Sequence, residues 1–209
     1  MAKRLAILGA SGHGKVVADL AGQLGYEVTF YDDAYPLKKS IEHWTVAGTF
    51  SDLLSREHKN LEVVVAIGNN KIRKEKSVAL WRHNFSLATL IHPCASVSKF
   101  ANVEAGTVVF AGAVINAFAT IGEGCIINSA AVIEHDTVVG NYSHICPNTA
   151  LAGNVNIGEC CWVGIGSQVI QLISVGDNTL IGAGSTVVKN LPENVTAIGS
   201  PAVVVKSES

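Results

Sequence analysis

Every sixth residue from Ile91 to Val187 is aliphatic, without exception. The row consists of Ile91, Val97, Val103, Val109, Ile115, Ile121, Ile127, Ile133, Val139, Ile145, Leu151, Ile157, Val163, Val169, Val175, Ile181 and Val187. A helix repeats its buried face about every 3.6 residues and a flat strand about every 2, so neither explains this row. A short strand plus a corner does explain it, because that unit is the hexapeptide repeat of a parallel β-helix.

A second row of small side chains follows, four residues after each aliphatic position. Its members are Ala95, Ala101, Thr107, Ala113, Ala119, Cys125, Ala131, Thr137, Ser143, Thr149, Cys161, Ser167, Thr179 and Ser185, with Val155 and Ile173 as larger exceptions. Three hexads close a triangular coil, so the aliphatic row fills the prism and the small row fits its narrow corners. Both rows are predicted to be core, which makes Cys125 and Cys161 buried small side chains.

Residues 18 apart form columns along the predicted coils, and two columns stand out. Glycine recurs at Gly122, Gly140, Gly158 and Gly176. This indicates either a positive φ or a close approach by the next coil, and the sequence leaves both open. His135 follows the inward Ile133 by two residues, so its side chain is predicted to face outward, with Gly153 one coil later in the same column.

Composition excludes several classes of protein. The chain has 209 residues, 48% of them hydrophobic, 15% charged, and a net charge of -2, which predicts a globular protein with no affinity for nucleic acid. No apolar run is long enough to span a membrane and the N-terminus matches a strand better than a leader, so we expect a soluble, cytoplasmic protein. Five cysteines without a CxxC pair argue against a disulfide framework or a metal site.

The first 90 residues follow a different pattern, in which strands alternate with helices. The predicted elements are strand 5–8, a glycine-rich turn at 9–14, helix 15–24, strand 27–31, helix 50–56, strand 62–67 and helix 71–82. This order predicts a small Rossmann-like domain over residues 1–90, followed by a β-helix domain with a C-terminal cap over 91–209.

Ligands of such sheets bind at the carboxyl ends of the strands. Three polar strand ends are predicted to form a nucleotide-sugar pocket; their residues are Ser11, Gly12, His13, Asp32, Asp33, Gly68 and Asn69. The first offers N–H groups to phosphate at a helix N-terminus, and the aspartates suit sugar hydroxyls. The turn matches the dinucleotide fingerprint GxGxxG imperfectly, which leaves a nicotinamide-dependent oxidoreductase as an alternative.

The GASGHG turn, the Asp32-Asp33 pair, the segments 66–70 and 132–136 and the unbroken hexads resemble bacterial sugar O- and N-acetyltransferases of the sialic acid O-acetyltransferase type. The resemblance covers nearly the whole chain and implies a left-handed β-helix. It also implies a homotrimer with active sites between subunits and acetyl-CoA as co-substrate. The implied reaction acetylates the 4-amino group of a UDP-2-acetamido-4-amino-2,4,6-trideoxy sugar, giving UDP-N,N'-diacetylbacillosamine.

The resemblance also assigns roles to individual residues. His135 is implied to be the general base, oriented by Asp136, since imidazole titrates near neutrality. Relatives often have Glu after this histidine, so the shorter Asp136 predicts a looser or water-bridged pair. Asn128 belongs to the same implied site, Gly153 donates a backbone N–H to the oxyanion, and His144 contacts acetyl-CoA near the thioester. The backbone groups implied to bind CoA are those of Ile165, Gly166, Gly182 and Ala183.

Alternatives remain at this level. The acceptor could be a GDP- or dTDP-linked 4-amino sugar or a sialic acid hydroxyl. A protein of another class, a non-catalytic nucleotide-binding trimeric scaffold, would use the β-helix only to associate. Trimerisation has a physical rationale, because we expect Phe110, Phe118 and Trp162 to be exposed on the β-helix flank.

Overall fold

The computed structural model describes residues 3–57 and 60–207. The chain divides into two compact units, Met1–His92 and Pro93–Ser209. None of the helices formed by the described residues is long and apolar enough to cross a membrane.

The first unit contains a four-stranded parallel sheet in the order β2-β1-β5-β6. Its elements are β1 (Lys3–Leu8), α1 (Gly12–Gln23), β2 (Tyr26–Tyr31), β3 (Ser40–Ile41), β4 (Trp44–Thr45), α2 (Phe50–Leu54), β5 (Leu61–Val65), α3 (Asn70–Arg82), β6 (Ser86–Leu87) and β7 (Leu90–Ile91). The predicted parallel α/β sheet is confirmed.

The helix α1 begins three residues earlier than the sequence pattern predicts, at Gly12 rather than Lys15. Gly14 explains how the first turn fits, because a Cβ there would lie 2.3 Å from the carbonyl oxygen of Gly9. The absent side chain lets the helix start directly against the end of β1. The glycine-rich segment is therefore partly helix and only partly turn.

The second unit is a left-handed parallel β-helix built from two-residue strands. These are β8 (Ser96–Val97), β9 (Asn102–Val103), β10 (Val108–Val109), β11 (Val114–Ile115), β12 (Thr120–Ile121), β13 (Ile126–Ile127), β14 (Val132–Ile133), β15 (Val138–Val139), β16 (His144–Ile145), β17 (Ala150–Leu151), β18 (Asn156–Ile157), β19 (Trp162–Val163), β20 (Gln168–Val169), β21 (Ser174–Val175), β22 (Leu180–Ile181) and β23 (Thr186–Val187). Every third strand pairs, as Ile115 does with Ile133, so one coil takes 18 residues. This is the predicted hexapeptide architecture.

Polar members of the small-residue row are satisfied by bonds along the prism. The Thr107 hydroxyl donates to the carbonyl of Gly122 at 2.7 Å and accepts from the N–H of Cys125 at 3.0 Å. The Cys125 thiol occupies the equivalent place one coil later, 3.2 Å from the carbonyl of Gly140. Cys125 and Cys161 are fully buried, which confirms their prediction as core residues.

Each corner contains a residue with left-handed backbone, three positions after an inward side chain. Between 106 and 184 this row has φ from 55° to 73° at every sixth residue. Its N–H donates to the preceding coil, as Asp136 does to the carbonyl of Ala117 at 3.2 Å. The residue before it, two positions after the inward side chain, does not use its N–H in the ladder; at Glu123 and Glu159 that N–H donates to a side-chain oxygen of the next coil. A hexad thus produces a regular series of outward-facing corner groups.

The recurring glycine column has a different cause from the left-handed row. Gly140 has no positive φ, but a Cβ there would lie 2.5 Å from the carbonyl carbon of Gly158 and 2.7 Å from the nitrogen of Glu159. Gly122, Gly158 and Gly176 are equally close to the next turn of chain. Of the two explanations that the sequence leaves open, close approach is therefore correct.

The C-terminal cap is an antiparallel hairpin of β24 (Val195–Gly199) and β25 (Ala202–Ser207). Strand β24 pairs in parallel with β22, so it continues one face of the prism beyond the last coil. Strand β25 pairs with the outer edge of β24, so the hairpin covers the end of that face.

Candidate active site

His135 and Asp136 form a direct hydrogen bond at one corner of the β-helix. The Nδ1 atom of His135 lies 2.7 Å from Oδ2 of Asp136, and both side chains are more than half exposed. A carboxylate only accepts hydrogen bonds, so Nδ1 is the donor in this contact, and in the neutral ring the lone pair is then on Nε2. The outward prediction for His135 is confirmed, whereas the expectation of a looser or water-bridged pair is wrong. The left-handed corner position of Asp136, with φ of 59°, turns its short side chain back to the preceding residue.

Gly153 lies against the imidazole of His135, one coil further on. A Cβ at this position would be 2.7 Å from both Cε1 and Nε2 of the ring. Only a residue without a side chain therefore leaves Nε2 accessible. The N–H of Gly153 makes no hydrogen bond within residues 3–57 and 60–207, so it is an available donor beside the ring.

A second cluster contains Asn128, His144 and Trp162. Oδ1 of Asn128 accepts from the N–H of Ser129 at 2.9 Å, which directs its amide nitrogen to Nε2 of His144 at 3.0 Å. Because that nitrogen is a donor, Nε2 of His144 must be unprotonated. The His144 ring is buried and meets Trp162 edge-on, with centroids 4.4 Å apart. Strands β13, β16 and β19 position this cluster, on a different face of the prism from β14 and His135.

The four residues predicted to bind CoA divide into two pairs. The N–H groups of Gly166 and Gly182 already donate to the carbonyls of Pro147 and Ala197, at 3.0 and 2.9 Å. Those of Ile165 and Ala183 donate to nothing in the part of the chain that the structure describes. A Cβ at Gly182 would lie 2.6 Å from the Ile198 side chain, so this glycine is required for packing. Ile165 and Ala183 are therefore the better backbone donors.

Cys146, two residues from His144, is a buried thiol. Burial raises its pKa to about 12, so the thiolate is scarce at neutral pH. The structure thus gives no support to a cysteine nucleophile at this position.

In the first unit, Asp32 and Asp33 are engaged with the backbone. Asp32 accepts from the N–H groups of Ala10 at 2.7 Å and Ala34 at 2.9 Å, which ties the end of β2 to the glycine-rich turn. Asp33 accepts from the N–H of Phe50 at 2.9 Å at the start of α2. Asp32 therefore shapes the predicted pocket, while the half-exposed Asp33 also has a carboxylate oxygen 3.5 Å from Lys76.

The remaining pocket residues surround the start of α1 and α3. Asn69 caps α3 by accepting from the N–H of Ile72. The buried Arg73 donates to the carbonyls of Ile67 and Gly68, at 2.9 and 3.1 Å. Desolvation, and then the charge of Arg73, lowers the pKa of His13 to about 4, so this imidazole is neutral at physiological pH. It can bond to a ligand without adding charge.

Lys38 lies beside the predicted pocket, and sequence reasoning missed it. Its ammonium donates to the carbonyl of Ala10, directly before Ser11 and Gly12. The loop that bears it has no periodic pattern, and only its two lysines hinted at an anionic ligand. The structure brings a positive charge to the turn predicted to bind phosphate.

Known protein families match both units. Residues 4–80 match the PglD N-terminal domain, and residues 118–153 match the bacterial transferase hexapeptide (six repeats). The acetyltransferase domain of PglB from Neisseria gonorrhoeae FA1090 is 39% identical, with a TM-score of 0.93, and the alignment covers 97% of this chain and 100% of that one. The chain belongs to the family of bacterial hexapeptide-repeat sugar acetyltransferases.

Two further members of this family are similar to the chain. PerB from Caulobacter crescentus, solved with CoA and GDP-perosamine, is 37% identical with a TM-score of 0.92, and 97% of each chain is covered. UDP-N-acetylbacillosamine N-acetyltransferase from Bacillus subtilis (strain 168) is 38% identical over 112 residues. That match spans only 52% of this chain and 52% of the curated relative.

The clusters of polar groups in the structure agree with membership of this acetyltransferase family. One prediction about exposed side chains, however, is wrong. Phe110 is buried within its own chain, with 2% exposure, so its expected role on an exposed flank is wrong. The position of Phe110 in the hexad predicts an outward side chain, but it does not show that other residues of the chain cover the ring. Phe118 is 63% exposed as expected, whereas Trp162 is half-buried beside His144.

Proposed function

We propose that the protein is an acetyl-CoA-dependent N-acetyltransferase that acts on the 4-amino group of a nucleotide-linked sugar, with His135 as general base. The observation that carries the proposal is the geometry around His135. Its Nδ1 lies 2.7 Å from the carboxylate of Asp136, and its Nε2 lies beside Gly153, where a side chain would block it. A neutral imidazole in this state accepts a proton from an incoming amine.

The reaction is a direct attack. The sugar amine loses a proton to Nε2 of His135 as its nitrogen bonds to the thioester carbon. The tetrahedral intermediate carries its negative charge on the former carbonyl oxygen, to which the N–H of Gly153 donates. The C–S bond then breaks, and the proton held by His135 passes to the CoA thiolate.

Acetyl-CoA is supported as the donor by a related complex. The acetyltransferase domain of PglB, solved with acetyl coenzyme A, is 38% identical with a TM-score of 0.94 over 98% of this chain. The outward N–H groups of Ile165 and Ala183 suit the amide carbonyls of pantetheine, and His144 would lie near the thioester. We propose a homotrimer in which these groups meet His135 between subunits.

The acceptor we favour is a UDP-2-acetamido-4-amino-2,4,6-trideoxy sugar, with UDP-N,N'-diacetylbacillosamine as product. The name of the Bacillus subtilis relative supports this choice. The PerB complex supports GDP-linked 4-amino sugars as the second candidate. The glycine-rich turn, neutral His13 and Lys38 suit the diphosphate that both acceptors share.

The test is release of CoA from acetyl-CoA in the presence of UDP-, GDP- and dTDP-linked 4-amino sugars. We expect the UDP sugar to give the highest kcat/KM, and His135→Ala to lower kcat by roughly 100- to 10,000-fold. The exposed His83, whose ring bonds to the carbonyl of Ala79 in its own helix, gives a matched control in His83→Ala. Equal rates for wild type and His135→Ala would refute the mechanism. Nucleotide binding without acetyl transfer to any acceptor would favour the scaffold alternative.

A further inference from the structure

Two phenylalanines form an exposed aromatic stack on the β-helix. The rings of Phe100 and Phe118 have centroids 5.5 Å apart and planes inclined by 23°. Phe100 is 57% exposed and Phe118 is 63% exposed. Packing of the chain therefore uses little of the surface of either ring.

Phe118 also has an unfavourable backbone. Its φ is 62°, in the left-handed region that bulky side chains seldom adopt. Most other corners in this row carry residues that tolerate the conformation better, such as Gly112, Asn148 and Asn154. A phenylalanine here is costly in two ways, through backbone strain and through exposed apolar surface. Strain of this kind often marks a contact with a ligand.

The stack lies beside the proposed catalytic pair. Phe118 and Asp136 occupy the same corner in successive coils, and the N–H of Asp136 donates to the carbonyl of Ala117. Successive coils are about 4.8 Å apart. An aromatic wall therefore borders His135 and Asp136 on the side of the earlier coils.

The reaction geometry places the acceptor on that side. The thioester oxygen must approach the N–H of Gly153, which lies toward the later coils, as do Ile165 and Ala183. With the donor on the side of the later coils, we place the acceptor on the side of the earlier coils, with its amine at Nε2 of His135. The body of the sugar then extends toward Phe118.

We propose that Phe118, supported by Phe100, determines specificity for acceptors that are deoxy at C6. This inference rests on the proposed function. The carbon bearing the amine is the ring neighbour of the carbon bearing C6, so an amine at His135 brings C6 close to the base. A methyl group there buries apolar surface against the ring, whereas a hydroxymethyl group places a hydroxyl against an aromatic face, where it loses hydrogen bonds to water.

The test compares two nucleotide-linked 4-amino sugars that differ only at C6, methyl against hydroxymethyl. We expect wild type to prefer the methyl sugar in kcat/KM by roughly 10- to 100-fold, the range for one small group in an apolar site. Phe118→Asn should reduce the preference about tenfold and leave KM for acetyl-CoA unchanged. It should not lower the melting temperature, because Asn tolerates the left-handed backbone.

Leu172→Asn is the matched control. Leu172 has a φ of 64°, is 68% exposed and occupies the same corner column, three coils beyond Phe118. This variant relieves the same strain but should retain the wild-type preference. An unchanged preference in Phe118→Asn, or a change confined to its oligomeric state, overturns the inference. If wild type acetylates neither sugar, the proposed function fails instead.

Discussion

In the proposed mechanism, the carboxylate of Asp136 determines which nitrogen of His135 acts as the base. It accepts a hydrogen bond from Nδ1, so that in the neutral ring the lone pair is on Nε2. The left-handed corner makes this possible between sequence neighbours, because the chain turns sharply at Asp136. A feature that the β-helix needs at every corner thus serves the proposed chemistry at one of them.

Replacing Asp136 tests this dependence. In Asp136→Asn the amide can either accept from Nδ1 or donate to it, so the ring is no longer held in one tautomer. We expect kcat to fall by roughly 10- to 1,000-fold, up to the contribution of a general base. Asp136→Glu should recover most of the activity because a carboxylate is restored.

Both exposed variants should keep the wild-type melting temperature, measured by calorimetry on the full chain. If Asp136→Asn is as active as wild type across the pH profile, Asp136 does not orient the base.

At the scale of the elements, two classes of glycine maintain the stacking of coils. Gly140 permits close contact with Gly158 and Glu159, whereas Gly184 supplies a φ of 65° and has open space around its Cβ position. The first class cannot accept any side chain, and the second can accept one that tolerates the left-handed conformation.

The stabilities of the Ala and Asn variants should therefore have opposite orders at Gly140 and Gly184. At Gly184, Asn should be better tolerated than Ala, which loses about 1–2 kcal/mol to backbone strain. At Gly140, Asn should be worse than Ala, since the larger side chain must displace more backbone. Thermal unfolding of the four variants measures the ranking, and the same order at both sites would contradict the distinction.

The hexad pattern predicts the β-helix well because every hexad places the same kinds of side chain in the same interior environment. Ile133 and its equivalents must be aliphatic, and Thr107 and its equivalents must be small, so the pattern is visible in one sequence. The sequence could not distinguish close approach from positive φ at Gly140, because glycine satisfies both. The short pair β3 and β4 was missed for another reason: two-residue strands contain no alternation.

The candidate site was less completely predictable. Column register identified His135 as outward and Gly153 as its neighbour, since both follow from the period. It could not show that the N–H groups of Gly166 and Gly182 already donate hydrogen bonds within the chain, or that Phe110 is buried. Lys38 was missed because its contact with Ala10 joins residues without a shared pattern.

For the whole molecule, we expect insertions of 18 residues, the length of one coil, to be tolerated best, since strands such as β17 and β20 pair at that separation. Repeating residues 159–176 once should preserve every column and the pairing of the C-terminal hairpin. We expect that variant to unfold within a few degrees of wild type. Repeating only residues 171–176 should unfold at a lower temperature, because β22 would then stack on β20 instead of on β19, and the columns of the later coils would no longer match those of the earlier ones. Equal melting temperatures would contradict this requirement for register.

The same periodicity bears on how such a protein evolves. A gene duplication that adds one coil lengthens the surface beyond the reacting corner while every earlier residue keeps its neighbours. Selection can then adjust the length of contact with a long donor separately from the chemistry at His135. A fold whose strands pair between distant segments has no such freedom, because an added strand changes the partners of the others.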